Sequence, residues 1–511
     1  MLLFYIDCTM KTFYVTTPIY YTNGPPHLGH AYTTIAADVI ARFKKLQGYD
    51  VYFVTGTDEH GQKVEKAAKE AGKTPKQFVD ELVDEFKSLW VELDIEYDKF
   101  IRTTDDYHEK AVQNVFQKVY DAGFIYKGNY EGWYCVPDET FLTDGQLVDG
   151  KCPDCGRAVQ KEKEETYFFK LSSFKPQLLK LFEANKNFVE PQSRWHESYN
   201  FFKDELRDLS VTRKSVKWGI PVPFDKSHTI YVWFDALFNY LTAIGYDGKT
   251  AKTAGKYWPA DVHLVGKEIA KFHAVYWPAM LMAAGLEVPK KVYAHGWWTI
   301  EGQKMSKSTG NYVEPREVIK KYGSDAFRYF LLRENTFGDD GDYSQKSFDS
   351  RYNGELADEF GNLANRTLVM LSRYCGGKIP AKPKTSKLKE TVEEKVKVYE
   401  EKMEHYQFNR SLEAVWDIIK GANKLVNDTA PWKLAKEGKQ SEVDAVMYEL
   451  CEALRITAIL LYPFMPRKTA ELYTALGLED LKAAKLKDAK WGKIKAGTQT
   501  KTGAVLFPKI V

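Results

Sequence analysis

A strand-like run from Thr12 to Tyr20 passes through the turn Asn23-Gly24-Pro25-Pro26 into a helix-like run from about Leu28 to Leu46. This junction constrains the fold more than any other segment. The alternation of Phe13 and Val15 marks the strand, and prolines just before a helix pre-set its first turn. A strand, a tight turn and a helix N-terminus make an anion site, because unpaired backbone N–H groups point outward. The junction carries His27-Leu28-Gly29-His30. Its two histidines stand three apart and share one face of the first turn. Gly29 between them has no Cβ and lets a flat ring or phosphate come close. The arrangement suits a polyphosphate.

A second basic segment, Lys304-Met305-Ser306-Lys307-Ser308, lies far downstream in a polar loop from Glu301-Gly302-Gln303 to Gly310-Asn311. Such a loop can close over a ligand and open again, and its ammonium groups suit the charge that develops on a departing pyrophosphate. Singly, an HxGH tetrapeptide arises by chance and a lysine-serine loop is usually a solvated turn. In one chain and in this order, they read as two halves of one phosphate-handling site.

The rest of the pattern says what holds them. At 511 residues the chain is too long for one core and should form two or three domains. Strand-like and helix-like runs alternate at first, as in Val51-Tyr52-Phe53-Val54 before a charged helix from about Lys63. That reads as βαβ units on a parallel sheet. The alternation stops between Tyr126 and about Asn200, where a cysteine-bearing insertion appears. It returns at Thr229 to Tyr240 and continues through Val262-His263-Leu264-Val265 and Val292-Tyr293-Ala294. The expected fold class is α/β, a Rossmann-type nucleotide-binding parallel sheet split by a connecting insertion and followed by an α-helical domain. The expected divisions are 1–125 and 229–295 for the two halves of the sheet domain, 126–228 for the insertion, 296–360 for the lysine loop and its sequel, and 361–511 for the helical domain. Ligands of such sheets sit beyond the carboxyl ends of the strands, at the switch point. His27, Asp58, Glu268 and His295 all follow strand-like runs and are expected to converge there. Long amphipathic helices take over after about Glu355, with a loop from Gly376 to Lys389 and a short strand expected at Ala504-Val505-Leu506-Phe507.

Composition excludes several classes. A net charge of +3 is too small for binding nucleic acid by a global field, so any RNA contact needs a local basic stripe. No apolar run reaches the roughly 18 residues of a spanning helix. Leu2-Leu3-Phe4-Tyr5-Ile6 is too short for a secretion signal, and Met10 offers an alternative start. Six cysteines in so long a chain make no disulfide framework, so a reducing cytoplasm is the expected setting.

More specific are Thr17-Pro18-Ile19-Tyr20-Tyr21-Thr22-Asn23-Gly24 before His27, Gly56-Thr57-Asp58-Glu59-His60-Gly61, Tyr231-Val232-Trp233-Phe234-Asp235-Ala236, His263-Leu264-Val265-Gly266-Lys267-Glu268 and Ala294-His295-Gly296-Trp297. With these the chain resembles the bacterial-type methionyl-tRNA synthetases, a family of class I aminoacyl-tRNA synthetases, from about Lys11 to its C-terminus. The resemblance implies ATP-dependent activation of methionine, with Mg²⁺ accompanying ATP, then transfer to the 3′ end of tRNA(Met). It also implies that the helical domain reads an anticodon. It gives His27, His30, Lys304 and Lys307 catalytic, phosphate-holding roles beside Gly29, and Glu268 a ribose contact. The alternative for Glu268 is a helix-start carboxylate favoured by the dipole.

Methionine is apolar and polarisable, and its sulfur is well placed beside aromatic edges. Trp233, Ala236 and Tyr240 have helical spacing and can line one wall, or they can be plain core. Ile19, Tyr21 and His295 complete the pocket by resemblance. Asp58 is the natural partner of the substrate ammonium, which would otherwise be desolvated unpaired. Homocysteine differs by one methyl, worth roughly 1–3 kcal/mol, and is rejected only weakly by binding. The family cyclises it in the same site, so no separate editing domain is expected.

Cys135-Val136-Pro137-Asp138 and Cys152-Pro153-Asp154-Cys155 are two knuckle-like turns with the spacing of a structural zinc site. Metal-holding relatives have cysteine where this chain has Asp138. A metal-free loop with reduced thiols is the alternative to zinc at Cys135, Asp138, Cys152 and Cys155. In the helical half, Asn362 and Arg366 share a helix face and Pro431-Trp432 opens another helix. The family reads the CAU anticodon from these positions, consistent with unstacked bases resting on aromatic rings. A core role for Trp432 and a solvated Arg366 are the alternatives. A monomer is expected. The competing functions are a related synthetase for another apolar amino acid and an RNA-binding paralogue that has lost activation.

Overall fold

A computed structural model describes residues 10–135, 140–142, 144–153, 156–250, 255–300, 302–304, 312–502 and 505–510. The first strand is β1 (Thr12–Tyr21). With β2 (Asp50–Asp58), β3 (Lys99–Arg102), β4 (Val189–Glu190), β5 (Val262–Gly266) and β6 (Val292–His295) it forms one sheet in the order β3-β2-β1-β5-β6-β4. Every pairing within it is parallel. The strand order reverses between β1 and β5, where Val15 pairs with Val262, so the ligand crevice of a doubly wound sheet opens there. The two-residue β4 comes from inside the stretch expected as insertion. It is too short to leave a periodic signal.

Within the insertion, strands Ile125–Cys135, Thr140–Leu142, Gln160–Phe169 and Leu209–Ser210 form a second sheet, all antiparallel, beside helices Lys175–Ala184 and Gln192–Lys203. Helix α1 (Leu28–Leu46) follows β1 with the bounds the sequence suggested. Most of its surface is buried, including the polar Thr33, Thr34, Asp38 and Arg42. It lies between the sheet and the helices of the second half, and the core beneath it runs without a break from Phe13 to Phe507.

The second half is helical, as expected, with long helices at Asn362–Tyr374, Lys389–Glu404, Phe408–Thr429 and Gln440–Leu461. Among the described residues, no helix is long and apolar enough to cross a membrane. One expectation is corrected. Residues 505–507 form no strand, and Ala504 lies outside the described residues. Leu506 and Phe507 are instead buried, with the Phe507 ring against Tyr352 and Phe360 of a wide helical turn, Tyr352–Gly361. Burying one such ring contributes about 1.5–3 kcal/mol and needs no ladder partner.

Candidate active site

The carboxyl end of β1 delivers His27 to the N-cap of α1, where the two histidines cap their own helix. The backbone N–H of Gly29 donates to His27 Nδ1 at 3.1 Å, and that of His27 donates to His30 Nδ1 at 3.2 Å. The rings stack at 3.7 Å between centroids. Because each Nδ1 accepts a backbone N–H, the proton of a neutral ring sits on Nε2, away from the helix. Gly29 is small for a concrete reason: a Cβ there would stand 3.0 Å from His27 Cε1. The helix has no acidic residue in its first turn, so nothing there repels an anion. Aromatic neighbours Tyr20 and Phe86 hold His30 from behind.

Across the crevice, β2 ends at Asp58, which is buried beside Tyr21 in the register of β1 and β2. Lys63 lies over the Tyr21 ring. Ile19 packs in a small cluster around Tyr14 and Val54. A short helix, Val232–Leu237, presents Trp233 and Ala236, and the next, Asn239–Thr242, presents Tyr240. Trp233 stacks on Phe272 at 3.7 Å and is half-buried; Ala236 and Tyr240 are buried.

Sequence reasoning missed His273. Its Nδ1–H donates to the Ile269 carbonyl at 3.0 Å, so its Nε2 accepts from the Tyr240 hydroxyl at 2.7 Å. Burial drives His273 down to about 4, with the Ile269 carbonyl opposing only in part, so the ring is neutral at physiological pH. Burial also raises the Tyr240 phenol, with Tyr20 and Asp58 adding to it. The wall is therefore aromatic, polarisable and uncharged, which suits a thioether. His273 sits in a π-helical turn, Phe272–Tyr276. Such turns cluster at functional sites, but 3.6-residue periodicity gives no signal for one.

On the other side of β5 the chain turns through Gly266 into Glu268. A Cβ on Gly266 would lie 2.5 Å from both carboxylate oxygens of Glu268, so the glycine makes room for that group. Glu268 accepts from Trp297 Nε1 at 2.6 Å. His295, at the end of β6, is buried against α1, with Nε2 2.7 Å from Thr33 Oγ1 and Nδ1–H donating to the Gly296 carbonyl. Burial lowers its pKa. Thr33 was not anticipated either; a threonine in the second turn of a helix carries no sequence signal.

Lys307 lies outside the described residues, as does the side chain of Lys304. The backbone of Gln303–Lys304 pairs with Trp298–Ile300, and Gly302 N–H donates to Asp342. The chain returns at Tyr312, whose hydroxyl donates to the Pro26 carbonyl at 3.3 Å, one residue before His27.

Of the four cysteine-site residues, Cys135 and Cys152 are both buried, in a small cluster with Leu142. Asp138 and Cys155 lie outside the described residues. Among the described residues no group of three or more His, Cys, Asp or Glu is placed to hold a metal. In the helical half, Asn362 opens its helix, exposed, and the Arg366 guanidinium lies over the Trp432 ring at 5.9 Å. Trp432 is 41% exposed, which removes the core-anchor alternative.

A parallel sheet with a histidine-capped helix at its switch point, joined to a helical second half, is the architecture of class I tRNA synthetases. The chain matches the family model for class I tRNA synthetases (M) over residues 13–165 and 155–368, and the anticodon-binding domain of methionyl-tRNA ligase over 376–511. It is 52% identical over 509 residues to the methionine–tRNA ligase of Caldanaerobacter subterraneus subsp. tengcongensis, covering 98% of this chain and 79% of that protein. The methionine–tRNA ligase of Halalkalibacterium halodurans is 48% identical over 518 residues, with 98% and 78% covered. Among solved structures, Mycobacterium tuberculosis methionyl-tRNA synthetase in complex with methionyl-adenylate matches at a TM-score of 0.93 and 41% identity, over 98% of this chain and 100% of that one. The chain belongs to the methionine–tRNA ligases.

Proposed function

We propose that the crevice at the carboxyl ends of β1, β2, β5 and β6 is where this ligase activates methionine with ATP and passes the methionyl group to the 3′ end of tRNA(Met). The methionine carboxylate attacks the α-phosphorus of ATP, the bond to the bridging oxygen breaks, and pyrophosphate leaves. Catalysis is then positioning plus charge stabilisation. His27 and His30 offer Nε2–H donors to the phosphates, and Lys304 and Lys307 take the departing pyrophosphate. The supporting observation is the pair of mutual ring caps, together with the lysine loop's re-entry beside Pro26.

Asp58 holds the substrate ammonium, while Ile19, Tyr21, Trp233, Ala236 and Tyr240 enclose the thioether, joined by His273. Glu268 takes a ribose hydroxyl. We assign His295, bonded to α1 through Thr33, to the border between methionine and nucleotide. Mg²⁺ enters with ATP. Asn362, Arg366 and Trp432 read the anticodon.

Of the residues proposed to hold a structural zinc, the two described thiols, Cys135 and Cys152, are both buried in one small cluster. Zinc would be held by Cys135, Cys152 and Cys155 with Asp138, and would fix the insertion's hairpins without entering the reaction. Elemental analysis of purified protein, with and without Cys152→Ser, tests that. Light scattering tests for a monomer, and fractionation tests a cytoplasmic location.

Methionine-dependent exchange of pyrophosphate into ATP, run beside leucine, isoleucine and cysteine, tests the main reading. Lys307→Ala should lower the activation rate roughly 10²–10³-fold, the loss seen for one oxyanion donor, with methionine binding barely changed. Near-normal exchange in that variant would remove the role given to Lys307.

A further inference from the structure

We infer that a buried cluster, His60–Asp235–His108, positions the walls of the methionine pocket relative to one another and so sets affinity for methionine. Asp235 is fully buried, and each of its oxygens accepts from a different imidazole: Oδ2 faces His60 Nδ1 at 2.7 Å and Oδ1 faces His108 Nε2 at 2.8 Å. The other side of His108 continues the chain, with Nδ1 2.8 Å from Thr242 Oγ1. On the other side of His60, Nε2 lies 3.6 Å from Glu109. Both carboxylate oxygens are thus taken up by imidazoles. His60, Asp235 and His108 are positioning residues.

What they connect gives the assignment its content. His60 follows Asp58 by two residues. Asp235 stands between Trp233 and Ala236 on one short helix. Thr242 follows Tyr240 by two residues on the next. Three separate wall segments of the pocket are therefore tied through one carboxylate, and His108 anchors them to the helix Asp106–Asp121 behind. Those segments sit on two short helices and a turn, elements with little rigidity of their own. A second brace supports the turn: Gly61 N–H donates to the Trp218 carbonyl, and Trp218 Nε1 donates to the Glu59 carbonyl.

The chemistry argues for more than packing. Burial works against a charged His60, but the Asp235 carboxylate, with Glu109 adding, outweighs it and pushes His60 up to about 10. Burial likewise opposes ionisation of Asp235, and the two imidazoles hold it below its usual range. The cluster is then a buried ion pair at neutral pH. Such pairs are often no more stable than well-packed apolar residues of the same volume. Their hydrogen bonds are short and directional, however, and fix distances. Placement within a fraction of an ångström is what substrate binding needs from a supporting shell.

This inference rests on the assignment of Asp58 and Trp233 to methionine. The test uses the full chain and pyrophosphate exchange, with KM measured for methionine and ATP separately. His108→Ala should raise the methionine KM about tenfold, the size of one hydrogen bond to a charged group, and leave the ATP KM and kcat near wild type. His108→Gln, which keeps an N–H near the position of Nε2, should restore most of the affinity. Thermal unfolding and active-site titration run alongside. An unchanged methionine KM overturns the inference, as does a parallel change in both KM values and kcat, which marks a purely structural role. Asp58→Ala and Trp233→Ala are the reference variants. If they leave the methionine KM unchanged, the pocket assignment itself is wrong, whatever His108 does.

Discussion

At the scale of single residues, the site is built from side chains that support themselves before they touch a substrate. His27 and His30 spend their Nδ1 atoms on backbone N–H groups, and the price of that arrangement is Gly29. In Gly29→Ala the new Cβ would press on His27, 3.0 Å from Cε1. Displacing a reacting group by part of an ångström can cost up to roughly 10²-fold in rate, whereas alanine favours a helix over glycine by about 0.5–1 kcal/mol. Gly29→Ala is therefore expected to lose pyrophosphate exchange while its thermal midpoint stays level or rises. A drop in both would mean that the glycine serves folding instead. Trp432 gives a second residue-scale prediction. It is 41% exposed beneath Arg366, and base stacking on an aromatic is worth roughly 1–3 kcal/mol. Trp432→Ala should weaken tRNA charging by the corresponding factor and spare adenylate formation. Equal losses in the two assays would make Trp432 structural.

At the scale of elements, the turn after β2 is braced by a carboxylate the sequence singled out only as part of a motif. Glu59 is fully buried and takes two bonds from Arg102 (2.7 and 2.8 Å), with Thr57 and Thr104 on the same oxygens. Removing one member of a buried pair leaves an uncompensated charge and costs about 3–5 kcal/mol. Arg102→Ala is expected to lose that much in chemical denaturation, and a loss below about 1 kcal/mol, typical of a surface pair, would contradict it. Much at this scale was legible beforehand. Helix α1 begins and ends where its flanking turn signals put it, because proline, glycine and local periodicity decide such boundaries. The π-turn that carries His273 was not, since it departs from the period by which helices are recognised. Nor was the tail, where Phe507 packs under a helix and forms no strand.

At the scale of the whole molecule, α1 is the shared beam. Asp38 on it, fully buried, receives Arg42 at 2.7 Å and Arg328 at 2.6 Å. Arg328 also donates to the carbonyls of Leu93, Pro463 and Phe464, and Arg42 to the Tyr462 hydroxyl. One carboxylate thereby joins the histidine-capped helix to the end of the long helix Gln440–Leu461. Burial opposes ionisation of Asp38, but the two guanidiniums prevail and hold its carboxyl below the usual range. A carboxyl whose folded value is depressed contributes stability that is complete above its unfolded value, about 3.9, and is lost as pH falls through the folded one. Wild-type protein should thus lose this contribution only in acid, below about pH 4. Asp38→Asn should be less stable at neutral pH and show a shallower acid transition, read by denaturation across that range. Identical acid profiles would show that the network does not carry the junction.

The sequence by itself determined what depends on neighbours along the chain: the strand–turn–helix with its histidines, the alternation of a parallel sheet, the run of amphipathic helices and the pattern of the family. Tertiary structure alone decided which buried side chains hydrogen-bond to one another across long separations. Tyr240 finds His273, His295 finds Thr33, and Asp235 gathers His60 and His108 because a reversed strand order brings β5 beside β1 and folds the following segments over the crevice. A buried hydrogen bond depends on direction and distance in space, and no spacing along a chain encodes either.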